Sequence, residues 1–290
     1  MEPVSQPIDG EWAEELRRVA EQVAGEAAAF VRVRRAELFG TVADDGGGPV
    51  RRPPAVVRAK STPTDPVTLA DTETERLVRD RLAELRPGEA ILGEEQGGTS
   101  GAPGSVRWVV DPIDGTVNFI YGIPAYAVSL AAQVDGVSVA GAVADVCAHQ
   151  VYSAAAGRGA WVSAKEERTA LRCTGVTDLS MTLVGTGFGY EPRRRAAQAK
   201  LLAGLLPEVR DVRRIGSAAL DLCAVAAGRL DAHYEHGLNR WDWAAGALIA
   251  AEAGAVVVLP DGPAGLLVAA APGVAGELIE ALHRHAPPVP

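Results

Sequence analysis

Cysteine is scarce in this chain: Cys147, Cys173 and Cys223 are the only three among 290 residues, far apart and with no C-x-x-C pair. An odd, scattered set excludes a disulfide framework and reads as reduced, mostly buried thiols of a cytoplasmic protein. The five histidines show no ligand spacing and no clustering with cysteine, so nothing suggests zinc. Positive charge is in deficit, with 28 Lys and Arg against 37 Asp and Glu and a net charge of −9. This balance argues against nucleic acid or an anionic membrane held by electrostatics alone, and it suits a site that collects divalent cations. Long apolar runs are missing, and the small-residue stretch 244–251 is too short to span a bilayer. The opening Met1-Glu-Pro-Val-Ser-Gln-Pro has no basic n-region and no apolar h-region, so it does not read as a signal peptide. There is no internal repeat and no low-complexity tract beyond alanine richness.

What is present is an ordinary globular composition, long enough to bury a large core. A helical pattern opens near Asp9 and runs to about Leu38, with Leu16, Val19, Ala20, Val23, Ala27, Phe30 and Val31 near one face. Residues 40–58 carry Gly46-Gly-Gly-Pro and Arg51-Arg-Pro-Pro and read as a loop. A second helix begins around Leu69 and ends before Pro87-Gly88; a short strand at 90–92 then stops at Gly93-Glu94-Glu95. Residues 126–134 and 137–146 are apolar runs joined by Asp135-Gly136, a hairpin signal, and the antiparallel pattern continues through 151–155 and 159–162. From Leu183 onward strands and helices alternate: helices at 193–206, 217–227, 242–253 and 274–285, strands at 209–213, 230–234, 255–259 and 266–270.

The chain is organised around Trp108-Val-Val-Asp-Pro-Ile-Asp-Gly-Thr-Val-Asn-Phe119. A buried strand at 107–110 runs into Asp111, and Pro112, lacking an N–H, is expected to stop the ladder there. Asp114-Gly115 signals a turn, and Thr116 follows, placed to offer a hydroxyl or to cap a helix. Two carboxylates so close repel each other unless a cation sits between them. Four more acids stand at element ends: Asp71 at a helix start, Glu94 after a strand and a glycine, Glu235 after the strand 230–234, and Asp242 between two tryptophans at the start of a helix. Taken singly, Asp71 and Asp242 also read as dipole-favoured helix N-terminal acids, and Glu94 and Glu235 as solvated or strand-end charges. Together they match a hard divalent cation, whose ligands are oxygens.

Four blocks, in this order and spacing, resemble the inositol monophosphatase family: Lys60-Ser-Thr-Pro-Thr-Asp-Pro-Val-Thr-Leu-Ala-Asp71, Gly93-Glu-Glu95, Asp111-Pro-Ile-Asp-Gly-Thr116 and Trp241-Asp-Trp-Ala-Ala-Gly246. The likeness spans about residues 12–285 and is greatest to bacterial, particularly actinobacterial, members. It implies an α+β fold, a layered αβαβα sandwich shared with fructose bisphosphatases, in one domain with approximate halves 10–180 and 181–290, and a homodimer. It also implies Mg²⁺, two to three ions per site. Glu94, Asp111 and Thr116 with the Ile113 carbonyl would hold one ion, Asp111, Asp114 and Asp242 a second, and Asp71 with Glu94 a weaker third. Water would attack the phosphate in line, oriented by Thr116 and Asp71, with Asp242 on the leaving-group side and no covalent phosphoenzyme. Asp114, Gly115 and Thr116 would line the phosphate side. Gly216, Ser217, Ala218 and Glu235, in and after Arg214-Ile-Gly-Ser-Ala-Ala-Leu-Asp-Leu-Cys223, match positions that meet inositol hydroxyls. Lithium sensitivity follows from the same likeness.

The implied activity is Mg²⁺-dependent hydrolysis of myo-inositol 1-phosphate. Histidinol phosphate, fructose 1,6-bisphosphate and phosphoadenosine phosphate are rival esters, and a transcription-machinery partner is the reading outside enzymology. A bisphosphate calls for extra cations; Arg193-Arg-Arg195 is the visible candidate and is expected to face solvent. Val117 and Tyr121 depart from the family pattern and are expected near the mouth of the site. Lys60 is a weaker candidate for a contact with loop or water, and Trp241 and Trp243 read as packing residues.

Overall fold

The structure is a computed structural model that describes residues 10–40, 57–59, 66–99 and 101–286. The expected 40–58 loop lies mostly, and Lys60 wholly, outside the described residues. Helix α1 (Gly10–Phe39) is followed by a ribbon of β1 (Val57–Ala59) and β2 (Pro66–Thr68), then by helix α2 (Leu69–Leu85).

Among the described residues the larger sheet has seven strands in sequence order: β3 (Ala90–Gly93), β4 (Val106–Asp114), β5 (Ala127–Val134), β6 (Val137–Asp145), β7 (Gln150–Ala155), β8 (Ala160–Ala164) and β9 (Glu167–Ala170). β3 is parallel to β4, and the later neighbours are antiparallel. Helix α3 (Thr116–Tyr121) lies between β4 and β5 in the chain. β9 is an edge strand exposed along its whole length, so it has no apolar alternation for a sequence pattern to register. The smaller sheet contains β10 (Leu183–Thr186), β11 (Asp211–Arg213), β12 (Ala232–His236), β13 (Val256–Val258) and β14 (Leu266–Ala270), in the spatial order 11-10-12-14-13. Its helices are α4 (Pro192–Leu205), α5 (Ala218–Ala226), α6 (Arg240–Glu252) and α7 (Ala275–His285).

Three cores define the layers. One joins α1 and α2 to Trp108, Val110, Val128 and Leu130 on one face of the large sheet. The second joins Val109, Ala127, Ala131 and Val143, on the opposite face, to α5, α6 and Leu267 and Ala269 of the small sheet. The third packs α4 and α7 on Val184, Ala232, Tyr234 and Val268, the small sheet's outer face. The result is the αβαβα sandwich. The apolar runs of β4 and β5 are continuous because both of their faces are buried, odd residues under α6 and even residues under α1.

The middle helical layer is thin because its side chains are small. A Cβ on Gly246 of α6 would lie 2.8 Å from Leu222 Cβ of α5 and 3.3 Å from the Ala219 carbonyl. Gly246→Val is therefore expected to lower unfolding free energy by about 1–3 kcal/mol through overpacking, read as a lower urea midpoint at unchanged slope.

Candidate active site

The central stretch departs from its sequence expectation in one useful way. The ladder does not stop at Pro112: β4 continues to Asp114, with Asp111 opposite Ser129 and Asp114 opposite Ala127. Three residues on β4 thus span two on β5, a bulge that absorbs the proline and re-aims the strand. Residues three apart on a regular strand face opposite ways, whereas the bulge lets Asp111 and Asp114 act on each other in one buried site. Gly115 (φ 92°) makes the turn, its missing Cβ leaving room for the Ala125 and Gly216 carbonyls. Of the two roles open to Thr116, the structure shows the hydroxyl. It is the first residue of α3, and its Oγ1 can donate to Asp71 Oδ1 at 3.1 Å or to the Ile113 carbonyl at 3.0 Å.

Asp71 and Asp242 occupy equivalent places on two helices. Asp71 is the third residue of α2, and its Oδ2 accepts from the Thr68 N–H at 2.9 Å and the Thr68 hydroxyl at 2.5 Å. Asp242 is the third residue of α6, inside its first turn rather than at its start, and its Oδ2 accepts from the Asn239 N–H at 2.6 Å. Each acid is thus a capping residue as well as a member of the acidic cluster. Asp114 Oδ2 sits on the start of α5, accepting from the Ser217 hydroxyl at 2.5 Å and the Ala219 N–H at 2.7 Å. The helix N-terminus that sequence assigned to a substrate oxygen is occupied by this carboxylate.

Glu94 follows β3, its N–H bonded to the Val110 carbonyl. Its turn is held from below by Glu75, which sequence reading overlooked. Glu75 is fully buried, accepts from the Glu95 and Gln96 N–H groups, and pairs with Arg79 at 2.8 Å. It stands four residues after Asp71 on α2, so one helix face supports both acids. Asn118 was overlooked as well: its amide donates to the Ala125 and Ile215 carbonyls and ties α3 to the Gly216 turn.

Glu94, Asp111, Ile113, Asp114, Gly115, Thr116, Gly216, Ser217, Ala218, Glu235 and Asp242 line a single cleft of about 530 Å³. Asp71 is not on its wall; it lies fully buried behind Thr116. Glu235 does not follow a strand but lies inside β12, opposite Leu267. Val117 and Tyr121 do not line the cleft. Arg194 is exposed, as expected of Arg193-Arg-Arg195, and it also lines the cleft, together with Arg214, Phe188, Tyr190, Asp221 and His236, which sequence reading does not pick out as site residues. The Gly187-Phe-Gly-Tyr190 run after β10 is the visible signal for that wall.

Electrostatically the site is unfavourable as it stands. Burial, and then the Glu94, Asp114 and Asp242 carboxylates, push Asp111 well above the usual carboxylate range. Burial raises Asp71 to about 7 and Asp114 to about 6 against the bonds from Thr68 and Ser217, and it raises Asp242 with help from Asp114 and Glu94. Such a set, all oxygen and mutually repelling, fits a hard divalent cation. Among the described residues no three of its side chains close into a ready-made cage. Both oxygens of Asp71 and one oxygen each of Asp114 and Asp242 are committed to hydrogen bonds.

A layered αβαβα sandwich with buried and half-buried acids gathered at the ends of β3 and β4 and in the first turn of α6 defines a class of phosphoric ester hydrolases. The profile of the inositol monophosphatase family matches residues 12–287, and the chain belongs to that family. It is 67% identical over 280 residues to an inositol-1-monophosphatase of Mycobacterium leprae, covering 93% of this chain and 94% of that one. The structure of Mycobacterium tuberculosis SuhB superposes with a TM-score of 0.79 at 59% identity, covering 94% of this chain and 97% of that one. A Nus factor SuhB of Pasteurella multocida is 37% identical, covering 86% of this chain and 93% of that one. The chain is a phosphatase. No helix among the described residues is long and apolar enough to cross a membrane.

Proposed function

We propose that the chain hydrolyses a polyol phosphate monoester, myo-inositol 1-phosphate to myo-inositol and phosphate, with Mg²⁺ as its ion. The observation that carries this reading is the convergence of Glu94, Asp111, Asp114 and Asp242 on one cleft that Glu235 and the start of α5 also line. Those four acids, with the Ile113 carbonyl, Thr116 and, more weakly, Asp71, would hold two to three ions. Bound there, the ions supply Lewis acidity and charge neutralisation for phosphoryl transfer.

The protein's own groups do the rest. The Thr116 hydroxyl, donating to Asp71 behind it, orients the attacking water, and the water's proton passes to Thr116 Oγ1 as the hydroxyl proton moves on to Asp71, which burial raises to about 7. Asp242, at the start of α6, faces the departing alcohol. Glu235 accepts hydrogen bonds from the hydroxyls of that alcohol, and the Gly216-Ser217-Ala218 turn shapes the wall beside it.

The test is phosphate release from inositol 1-phosphate, histidinol phosphate, fructose 1,6-bisphosphate and phosphoadenosine phosphate, each with and without Mg²⁺. The expected result is metal-dependent turnover led by inositol 1-phosphate. Turnover led by another ester keeps the metal chemistry and replaces the substrate; absence of turnover on all four overturns the reading. A second reading, a sugar bisphosphate, is favoured by Arg194 and Arg214, two cationic residues that line the cleft. The name carried by the Pasteurella relative supports a pull-down for a transcription-machinery partner beside the assay. Lithium, a small hard cation, is expected to inhibit at millimolar levels by competing for the oxygen ligands, and indifference to it would remove the second ion from the mechanism.

A further inference from the structure

Beside Glu235 on the polyol side of the cleft stand two ionisable groups, Asp221 and His233, that the reaction does not use. His233 and Glu235 are two residues apart on β12 and share the face turned toward α5, which carries Asp221. His233 is fully buried, and neither ring nitrogen has a hydrogen-bond partner among the described residues. Asp221 Oδ2 lies 3.5 Å from Nδ1 on one side, and Glu235 Oε2 lies 3.7 Å from Nε2 on the other. Asp221 Oδ1 is also buried without a partner.

An imidazole placed at random in an apolar layer would cost free energy for each unpaired nitrogen. Here the neighbouring strand is cut away to make room for it. Gly185 of β10 pairs with His233, and a Cβ there would lie 3.2 Å from Nδ1 and 2.8 Å from Leu230 Cδ1. A Cβ on Gly187, two residues on, would lie 2.0 Å from Glu235 Oε2. The Gly-Thr-Gly of residues 185–187 thus faces the His-Tyr-Glu of residues 233–235, each glycine clearing space for one ionisable side chain. Burial raises Glu235 to about 8, opposed by the Arg214 charge, and raises Asp221 well above its usual range. The same burial lowers His233 to about 3, which favours a neutral ring. A neutral imidazole has one donor and one acceptor, so it can serve an ionised carboxylate on one side and a protonated one on the other.

We propose that His233, backed by Asp221, is a positioning residue that fixes the Glu235 carboxylate against the alcohol of the substrate. It sets preference among esters and does not take part in phosphoryl transfer. This rests on the reading of Glu235 as the polyol contact.

The test compares inositol 1-phosphate with p-nitrophenyl phosphate, which lacks ring hydroxyls, at saturating Mg²⁺. His233→Phe is expected to raise KM for inositol 1-phosphate about tenfold more than for the aryl ester, with kcat changing much less. His233→Gln, which retains a donor and an acceptor, is expected to restore most of that ratio. In a Glu235→Gln background His233→Phe should add nothing, because its effect passes through the missing carboxylate. Equal losses on both esters, full additivity with Glu235→Gln, or no rescue by glutamine would each overturn the proposal. Should His233→Phe fail to fold, Asp221→Asn, which keeps the shape, takes its place in the same cycle. Glu235→Gln alone separates the two readings. If it impairs both esters alike, the polyol contact falls; if it discriminates and His233→Phe does not, only the positioning role falls.

Discussion

Asp111→Asn is expected to lower kcat by about a thousandfold or more while leaving the fold intact. Asp111 is 2% exposed and stands among Glu94, Asp114 and Asp242, each of which makes its charge harder to hold. Asparagine has the same shape, and its carbonyl can still accept the Ile113 N–H that Asp111 Oδ1 accepts at 3.0 Å. The substitution therefore removes a charge without removing a structural bond. In metal-free protein that change relieves repulsion, so the thermal midpoint should hold or rise. The midpoint gain on adding Mg²⁺ should shrink, because an ion-binding carboxylate is gone. Phosphate release and melts with and without Mg²⁺ check both halves. Near-normal turnover would take Asp111 out of the reaction.

The second large effect is a pH-dependent stabilisation by the ion. Asp71 is raised from 3.8 to about 7, Asp114 from 3.8 to about 6, and Glu235 from 4.5 to about 8. The folded protein therefore binds protons more tightly than the unfolded chain. Stability from these groups is fully present below about pH 4 and is lost as pH rises through 6 to 8. A tenfold change in the affinity for one proton corresponds to about 1.4 kcal/mol, and a kcal/mol moves the midpoint of a domain of this size by about 2–4 °C. The midpoint gain from saturating Mg²⁺ is expected to be several degrees larger at pH 8 than at pH 5.5. Taking the difference with and without ion removes the opposite slope contributed by surface acids such as Glu14 and Glu26, whose arginine partners lower them. A gain independent of pH would show that the ion does not bind among these carboxylates.

The acids of the cluster were legible because each stands beside a local signal. Asp111 and Asp114 flank a proline and precede a glycine, while Asp71 and Asp242 sit in helix-opening patterns. The helices and most strands were legible for the same kind of reason, since periodic burial writes itself into adjacent residues. Where boundaries moved, tertiary pairing moved them. Residues 112–114 stay in β4 because β5 supplies a bulged partner, and β12 extends through Glu235 and His236 because β14 pairs with it to the end.

Other parts of the site had no local signal at all. Glu75 resembles any helix acid until the turn after β3 folds onto it. Arg194 is exposed like Arg193 and Arg195, and only the packing of its side chain against Gly189 and Gly237 sets it beside the cleft. Asp221 and His233 are twelve positions apart, on a helix and a strand of different pattern, and meet only when α5 packs on the small sheet. The sequence by itself determined the family, the layer plan and the identity of the acids, since spacing and hydrophobic period are properties of neighbouring residues. Only the tertiary structure decided that Asp114 commits an oxygen to the start of α5, which arginines reach the cleft and what stands behind Glu235. Those depend on packing between elements that are separate in the chain, and short-range pattern carries no record of it.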